Sequence, residues 1–135
     1  MNTIAKFPIK LILLFFTFVL MGCDSSDKRS TNTSTENTIV LVKYKAQPNK
    51  GIEAVSQLSI LIEKVKLEPH FVTIKLHVDP KDKTNILLYE EWDDLSYYKY
   101  EHMNTDHLRE FITASRNFLA GPPEISIWNI EGVFE

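Results

Sequence analysis

Apolar side chains recur along this chain with two periods, and each change of period marks the edge of an element. Residues 39–46 (IVLVKYKA) are β-branched and aliphatic up to Pro48 and Asn49, which predicts a first strand. Residues 50–67 carry Ile52, Val55, Leu58, Ile62 and Val65 three or four apart, a helix that Pro69 stops. Residues 70–78 (HFVTIKLHV) alternate, with Phe71, Thr73, Lys75 and His77 expected on one face and Val72, Ile74, Leu76 and Val78 on the other. Residues 79–82 (DPKD) read as a turn and 84–92 (TNILLYEEW) as a third strand, so the two strands form a hairpin. Asp93 or Asp94 suits the N-cap of a helical region over 95–119. A break is expected near Asn104 to Asp106, with Thr105 or Asp106 capping the second part. Leu108, Phe111, Ile112, Ser115 and Leu119 are its expected buried stripe, and Gly121 ends it. Residues 124–134 are the last strand.

The order β-α-β-β-α-β predicts an α+β, ferredoxin-like fold, a four-stranded antiparallel sheet with its helices on one face. Strands one, three and four carry apolar residues on both faces, whereas a half-exposed antiparallel sheet alternates cleanly. A second copy of the sheet is the simplest cover, which predicts a homodimer.

The first 37 residues follow another logic. Lys6 and Lys10 precede an apolar run over 11–21, and Gly22 stands before Cys23, the lone cysteine. This is the layout of a secretory signal, and its ending in cysteine resembles a bacterial lipoprotein signal. Cleavage before Cys23 and acylation of its thiol are expected, although Met21 stands where a small residue is usual. Lys10 interrupts the run, which argues against an uncleaved span of about 20 residues. The expected location is the bacterial cell envelope, with a lipid anchor in a membrane outside the cytoplasm. Residues 24–37 (DSSDKRSTNTSTEN) hold no apolar side chain and are expected to be a solvated tether with a reach of about 20 Å. The domain proper is then 38–135.

Removing residues 1–22 takes Lys6 and Lys10 and no acid, which moves the formal charge from −3 to −5. No basic cluster stands out, so no nucleic-acid partner is expected. With Cys23 acylated, no cysteine remains for an internal disulfide or a thiolate metal site.

Several short motifs occur in order: Pro48-x-Lys50, Glu68-Pro69, Asp79-Pro80, Leu88-Tyr89-Glu90-Glu91-Trp92, His107-Leu108-x-x-Phe111, and Gly121-Pro122-Pro123-Glu124. Together they resemble the antibiotic biosynthesis monooxygenase (ABM) domain of the dimeric α+β barrel superfamily, over about residues 39–134. His70 departs from the pattern, since the family has glycine there; either the turn differs or the ring intrudes on a pocket. The resemblance implies oxidation of a quinol-like or polycyclic aromatic small molecule with O₂, and no cofactor or metal is expected. A non-catalytic dimeric binding or sensing lipoprotein of the same fold is the alternative. The haem-degrading branch of the superfamily is not implied, because Ile112 and His102 stand near the places of its histidine ligand and tryptophan.

Such chemistry needs an apolar pocket with a few polar tips, one of them able to take a proton. Glu90 and Trp92 lie two apart and share a strand face. Trp92 either walls the pocket or sits in the core; Glu90 either orients a polar partner or satisfies structure. His107 is the candidate base, with a structural hydrogen bond, to Glu90 for example, as the alternative. Glu90 and His107 are thus the catalytic candidates, and Trp92, Tyr97, Tyr100 and His102 the substrate-binding ones. Tyr97 and Tyr100, three apart, fit a pocket mouth, an exposed helix shoulder or a dimer contact. His102 and His107, five apart, fall on different faces of an ideal helix, so they are not expected to form a metal pair. Trp92 and His107 are expected to border one cavity between sheet and helices.

Overall fold

The structure, a computed structural model, describes residues 37–135. The signal-like segment, Cys23 and the tether up to residue 36 lie outside the described residues.

The elements run β1 (Thr38–Lys45), α1 (Gly51–Val65), β2 (Phe71–Val78), β3 (Asn85–Trp92), α2 (Leu95–Tyr100), a 3₁₀ turn (His102–Asn104), α3 (Asp106–Ser115) and β4 (Glu124–Asn129). The strands form one sheet in the order β2-β3-β1-β4, and every neighbouring pair is antiparallel. This is the expected ferredoxin-like α+β fold. The last strand stops at Asn129, earlier than expected, and the last helix at Ser115.

One face of the sheet meets the helices. β1 contributes Val40, Val42 and Tyr44 to it, and β3 contributes Ile86, Leu88, Glu90 and Trp92, all buried. β2 adds Phe71, Ile74, Leu76 and Val78. Phe71 was expected on the opposite face. The register slips between Phe71 and Thr73, and a bulge of one residue turns every side chain before it over. Phe71 therefore packs edge-on against Trp92, their ring centroids 6.1 Å apart, and Val72 is left exposed.

On α1 the buried residues are Gly51, Ala54, Leu58, Leu61 and Val65. The stripe is rotated from the expected one, and Ile52 is 88% exposed. Gly51 sets the approach at this end: a Cβ there would collide with the backbone carbonyl of Lys83 in the β2–β3 turn. Alanine keeps its place beneath the helix because a small side chain permits that close contact, which periodicity of large residues does not register.

Asp94 is the N-cap of α2, its Oδ1 accepting from the amides of Ser96 (2.7 Å) and Tyr97 (3.0 Å). Those same bonds hold its carboxyl below the usual range. Asp93 instead faces His70, with Nδ1 to Oδ1 at 2.6 Å. His70 has φ 67°, the left-handed region that favours glycine, and holds it with a histidine side chain. The ring packs on Tyr97 and is half exposed, away from the cavity described below.

The break in the second helical region is present. α2 ends at Tyr100, and Thr105 is the N-cap of α3 with φ −65° and ψ 150°. Thr105 does not cap through its side chain; its hydroxyl donates to the His102 carbonyl instead. In α3 the buried residues are Leu108 and Phe111, followed by Phe118 and Leu119, while Ile112 is exposed. Among the described residues no helix is long and apolar enough to cross a membrane.

Candidate functional site

A cavity of about 670 Å³ lies between the sheet and its helices, within the range of small-molecule sites. Val42, Tyr44, Leu88 and Glu90 line it from the sheet, and Leu61, Val65, Leu108 and Phe111 from the helices. Tyr98, His102 and the segment Gly121 to Pro123 also line it. The wall is mostly aliphatic and aromatic, with four buried polar tips: the hydroxyls of Tyr44 and Tyr98, the Glu90 carboxyl and the His102 ring.

Glu90 is in this wall because β3 alternates, which turns residues 86, 88, 90 and 92 toward the helices. Its Oε2 accepts from the indole Nε1 of Trp92 at 3.1 Å. Burial pushes its carboxyl up to about 7; the Trp92 bond opposes that shift and the negative charge of Glu68 adds to it. At neutral pH the group is therefore poised between acid and base. Burial, and then the charge of Glu90, raise the phenols of Tyr44 and Tyr98 well above their usual range. Both remain neutral hydrogen-bond donors.

Trp92 itself is fully buried and does not line the cavity. Its ring lies against His102 (4.7 Å between centroids) and Tyr98 (5.5 Å), while Phe71 meets it edge-on. It is a core residue that supports the polar tips from behind.

A second polar cluster adjoins the cavity. Its centre is Glu68, just past α1, with a side chain only 5% exposed. The Tyr97 hydroxyl donates to Oε2 at 3.2 Å, His102 Nδ1 lies 3.0 Å from Oε2, and His107 Nε2 lies 2.5 Å from Oε1. An ionised carboxylate only accepts, so each imidazole turns an N–H toward it. His102 then carries its proton on Nδ1. Among the described residues its Nε2 has no protein partner, and no buried side-chain nitrogen or oxygen there is left without one. Nε2 is therefore accessible, on a ring that lines the cavity. Burial lowers the pKa of His102, and the Glu68 hydrogen bond opposes that shift.

Of the residues singled out from the sequence, Glu90 and His102 reach the cavity wall. Trp92, Tyr97, Tyr100 and His107 do not. Tyr97 turns to Glu68, and Tyr100 is exposed because α2 ends there. His107 borders a separate shallow groove of about 140 Å³ between α1 and α3, with Lys64 and Glu110. The shared cavity expected for Trp92 and His107 does not form. His107 contacts Glu68 and not Glu90. His102 and His107, expected on different faces, converge because the break re-aims the chain between them. Among the described residues no three His, Cys, Asp or Glu side chains have metal-ligand geometry.

Three members of the site had no assigned role in the sequence reading: Glu68, Tyr44 and Tyr98. Glu68 stands in the Glu68-Pro69 motif, and Tyr44 on the same strand face as Val40 and Val42. Tyr97 and Tyr100 have the helical spacing of a shared face, but it is Tyr98 that α2 turns inward.

The antibiotic biosynthesis monooxygenase family model matches residues 38–114. An uncharacterised protein of Synechocystis sp. is 26% identical over 122 residues, covering 90% of this chain and 82% of that protein. A Nitrosomonas europaea structure that bears the antibiotic biosynthesis monooxygenase name superposes with a TM-score of 0.65 at 17% identity, over 71% of this chain and 91% of that one. A conserved protein from Methanosarcina mazei superposes with a TM-score of 0.62 at 22% identity, over 70% and 92%. These structural likenesses agree with the fold. The family match spans more than half the chain, and the chain belongs to the antibiotic biosynthesis monooxygenase family.

Proposed function

We propose that this domain oxidises a quinol-like or polycyclic aromatic small molecule with O₂, using side chains alone for the proton chemistry. The observation that carries this reading is Glu90: a carboxyl poised near neutrality in an apolar cavity that also holds two phenol donors. Glu90 takes a proton from the bound aromatic, and Tyr44 and Tyr98 hydrogen-bond the oxygen where negative charge gathers. The electron-rich anion passes one electron to O₂, and the two radicals join as a peroxide on a ring carbon. Loss of that carbon's proton breaks the O–O bond, leaving C=O on the product and hydroxide, which becomes water. One oxygen atom enters the product and one enters water, and all four electrons come from the substrate.

The test is O₂ uptake by the purified protein against a panel of quinols and anthrones. One O₂ consumed per substrate, lost in Glu90→Gln, supports the oxygenase. Binding of the same compounds without uptake supports instead a binding or sensing protein of the same fold.

The outer face of the sheet carries Leu41, Leu87, Tyr89 and an exposed Trp128 beside Lys43, Lys75 and His77. We propose that two copies pack through it as a homodimer. The sequence before the domain supports a further proposal, that Cys23 is acylated and holds the domain at a membrane of the cell envelope.

A further inference from the structure

We propose that Glu68, His102 and His107 exchange protons between the cavity and the surface, with one imidazolium charge alternating between the two rings. The inference rests on the oxygenase reading for its purpose, but its geometry stands independently. Glu68 is buried and touches both rings, which are 34 and 39 residues further along the chain. One ring is 7% exposed and lines the cavity; the other is 20% exposed and borders the surface groove. The arrangement links the apolar cavity to the surface groove.

A single carboxylate balances a single positive charge. In the resting state that charge sits on His107, where solvent lowers its cost, and His102 is neutral with Nε2 bare. When a second substrate hydroxyl, beyond the one that Glu90 deprotonates, gives its proton to Nε2, His102 becomes the cation. Repulsion then expels the Nδ1 proton of His107 to water. One proton enters from the cavity and one leaves outside, while the two N–H groups facing Glu68 stay in place. The passage reverses when hydroxide forms at the end of the reaction and needs a proton. His102 is thus the acceptor, and Glu68 and His107 are positioning residues that act through it. The coupling is visible in the charges around His102, where His107 opposes its protonation.

The other groups facing the cluster do not supply this exchange. Tyr97 donates to Glu68 from α2. Trp92 and Tyr98 pack their rings on His102. Glu90 senses Glu68 by charge alone. Lys64 and Glu110, which share the groove with His107, pair with each other at 3.1 Å.

Histidine side-chain ¹⁵N NMR on the purified protein tests this without a substrate. His102 should show the neutral Nδ1–H tautomer at pH 7. In His107→Gln, which keeps an N–H donor for Glu68, His102 should protonate at a pH about one unit higher or more, because a nearby positive charge is gone. Glu68→Gln, checked for folding by its amide spectrum, should shift His102 in the opposite direction. A His102 titration unmoved by His107→Gln overturns the proposal, as does a His102 protonated on Nε2 alone. Where a quinol is turned over, His107→Gln should lower kcat about tenfold or more with little change in KM, and free imidazole should restore part of it. Absence of turnover in the wild type would defeat the oxygenase reading and leave the NMR result to decide the couple.

Discussion

The indole Nε1 of Trp92 donates to Glu90 Oε2 at 3.1 Å, and both side chains point inward from alternate positions of β3. This bond gives Glu90 one fixed partner. Of the pair, Trp92 is core and Glu90 lines the cavity wall.

The same bond shapes a pH prediction. The folded-state pKa of Glu90 is raised from 4.5 to about 7, so the folded protein holds this proton where the unfolded chain has lost it. Its contribution is fully present below about pH 4.5 and is lost as pH rises through about 7. The magnitude is on the order of 3 kcal/mol. His102 works in the other direction: its lowered pKa contributes stability above about pH 6.5 that is lost as the pH falls. Glu90→Gln keeps an acceptor for Trp92 and should remove only the first effect. Urea denaturation at pH 5 and pH 8 should show the variant losing less stability than the wild type over that rise. Equal differences would mean Glu90 is ionised at both values.

Tyr44→Phe and Tyr98→Phe remove cavity hydroxyls and leave the rings that pack on Phe111 and on Trp92. Each should weaken binding of a phenolic ligand by about 10- to 100-fold, the worth of a hydrogen bond to a charged oxygen. Thermal stability should stay near that of the wild type. Calorimetric titration with a quinol or a polycyclic phenol measures this, and unchanged affinity in both variants would place the ligand elsewhere.

Trp92→Ala should cost about 3–5 kcal/mol, the usual range for emptying a buried aromatic site. It should also strip Glu90 of its donor and loosen the stack of His102 and Tyr98. Urea unfolding checks the first, and loss of near-ultraviolet circular dichroism the second.

The outer sheet face should make the protein a dimer with about 2,000 Å² or more of total buried area. Light scattering should report twice the monomer mass, and Leu41→Glu should shift it toward the monomer. A stable wild-type monomer at micromolar concentration would leave that face to another partner.

Cys23 gives the remaining prediction. Intact mass of the protein from a bacterial membrane fraction should show cleavage before Cys23 and two or three acyl chains, since one chain alone holds a protein only weakly. Cys23→Ser should abolish both. An unmodified Cys23 in the wild type would end the anchor proposal.

Local pattern carried much of this protein. Runs of β-branched and aliphatic residues announce the strands, Pro69 the stop after the first helix, and Thr105 the break, because those signals depend on backbone preferences a few residues long; Gly121 lies beyond the end of α3 at Ser115. The inward turn of Glu90 follows from the alternation of a strand. Depth and convergence did not. Ile52 belongs to an apolar stripe yet faces water, since the collision a Cβ would make at Gly51 and the small Ala54 decide which side of α1 approaches the sheet. Phe71 changed faces through a one-residue bulge that no side-chain pattern records. Glu68, His102 and His107 meet only because the end of α1 packs beside the break between α2 and α3, a contact between segments over thirty residues apart. Periodicity states which side of its own element a residue occupies. Which other element lies there is decided by packing, and that is where the candidate chemistry of this protein resides.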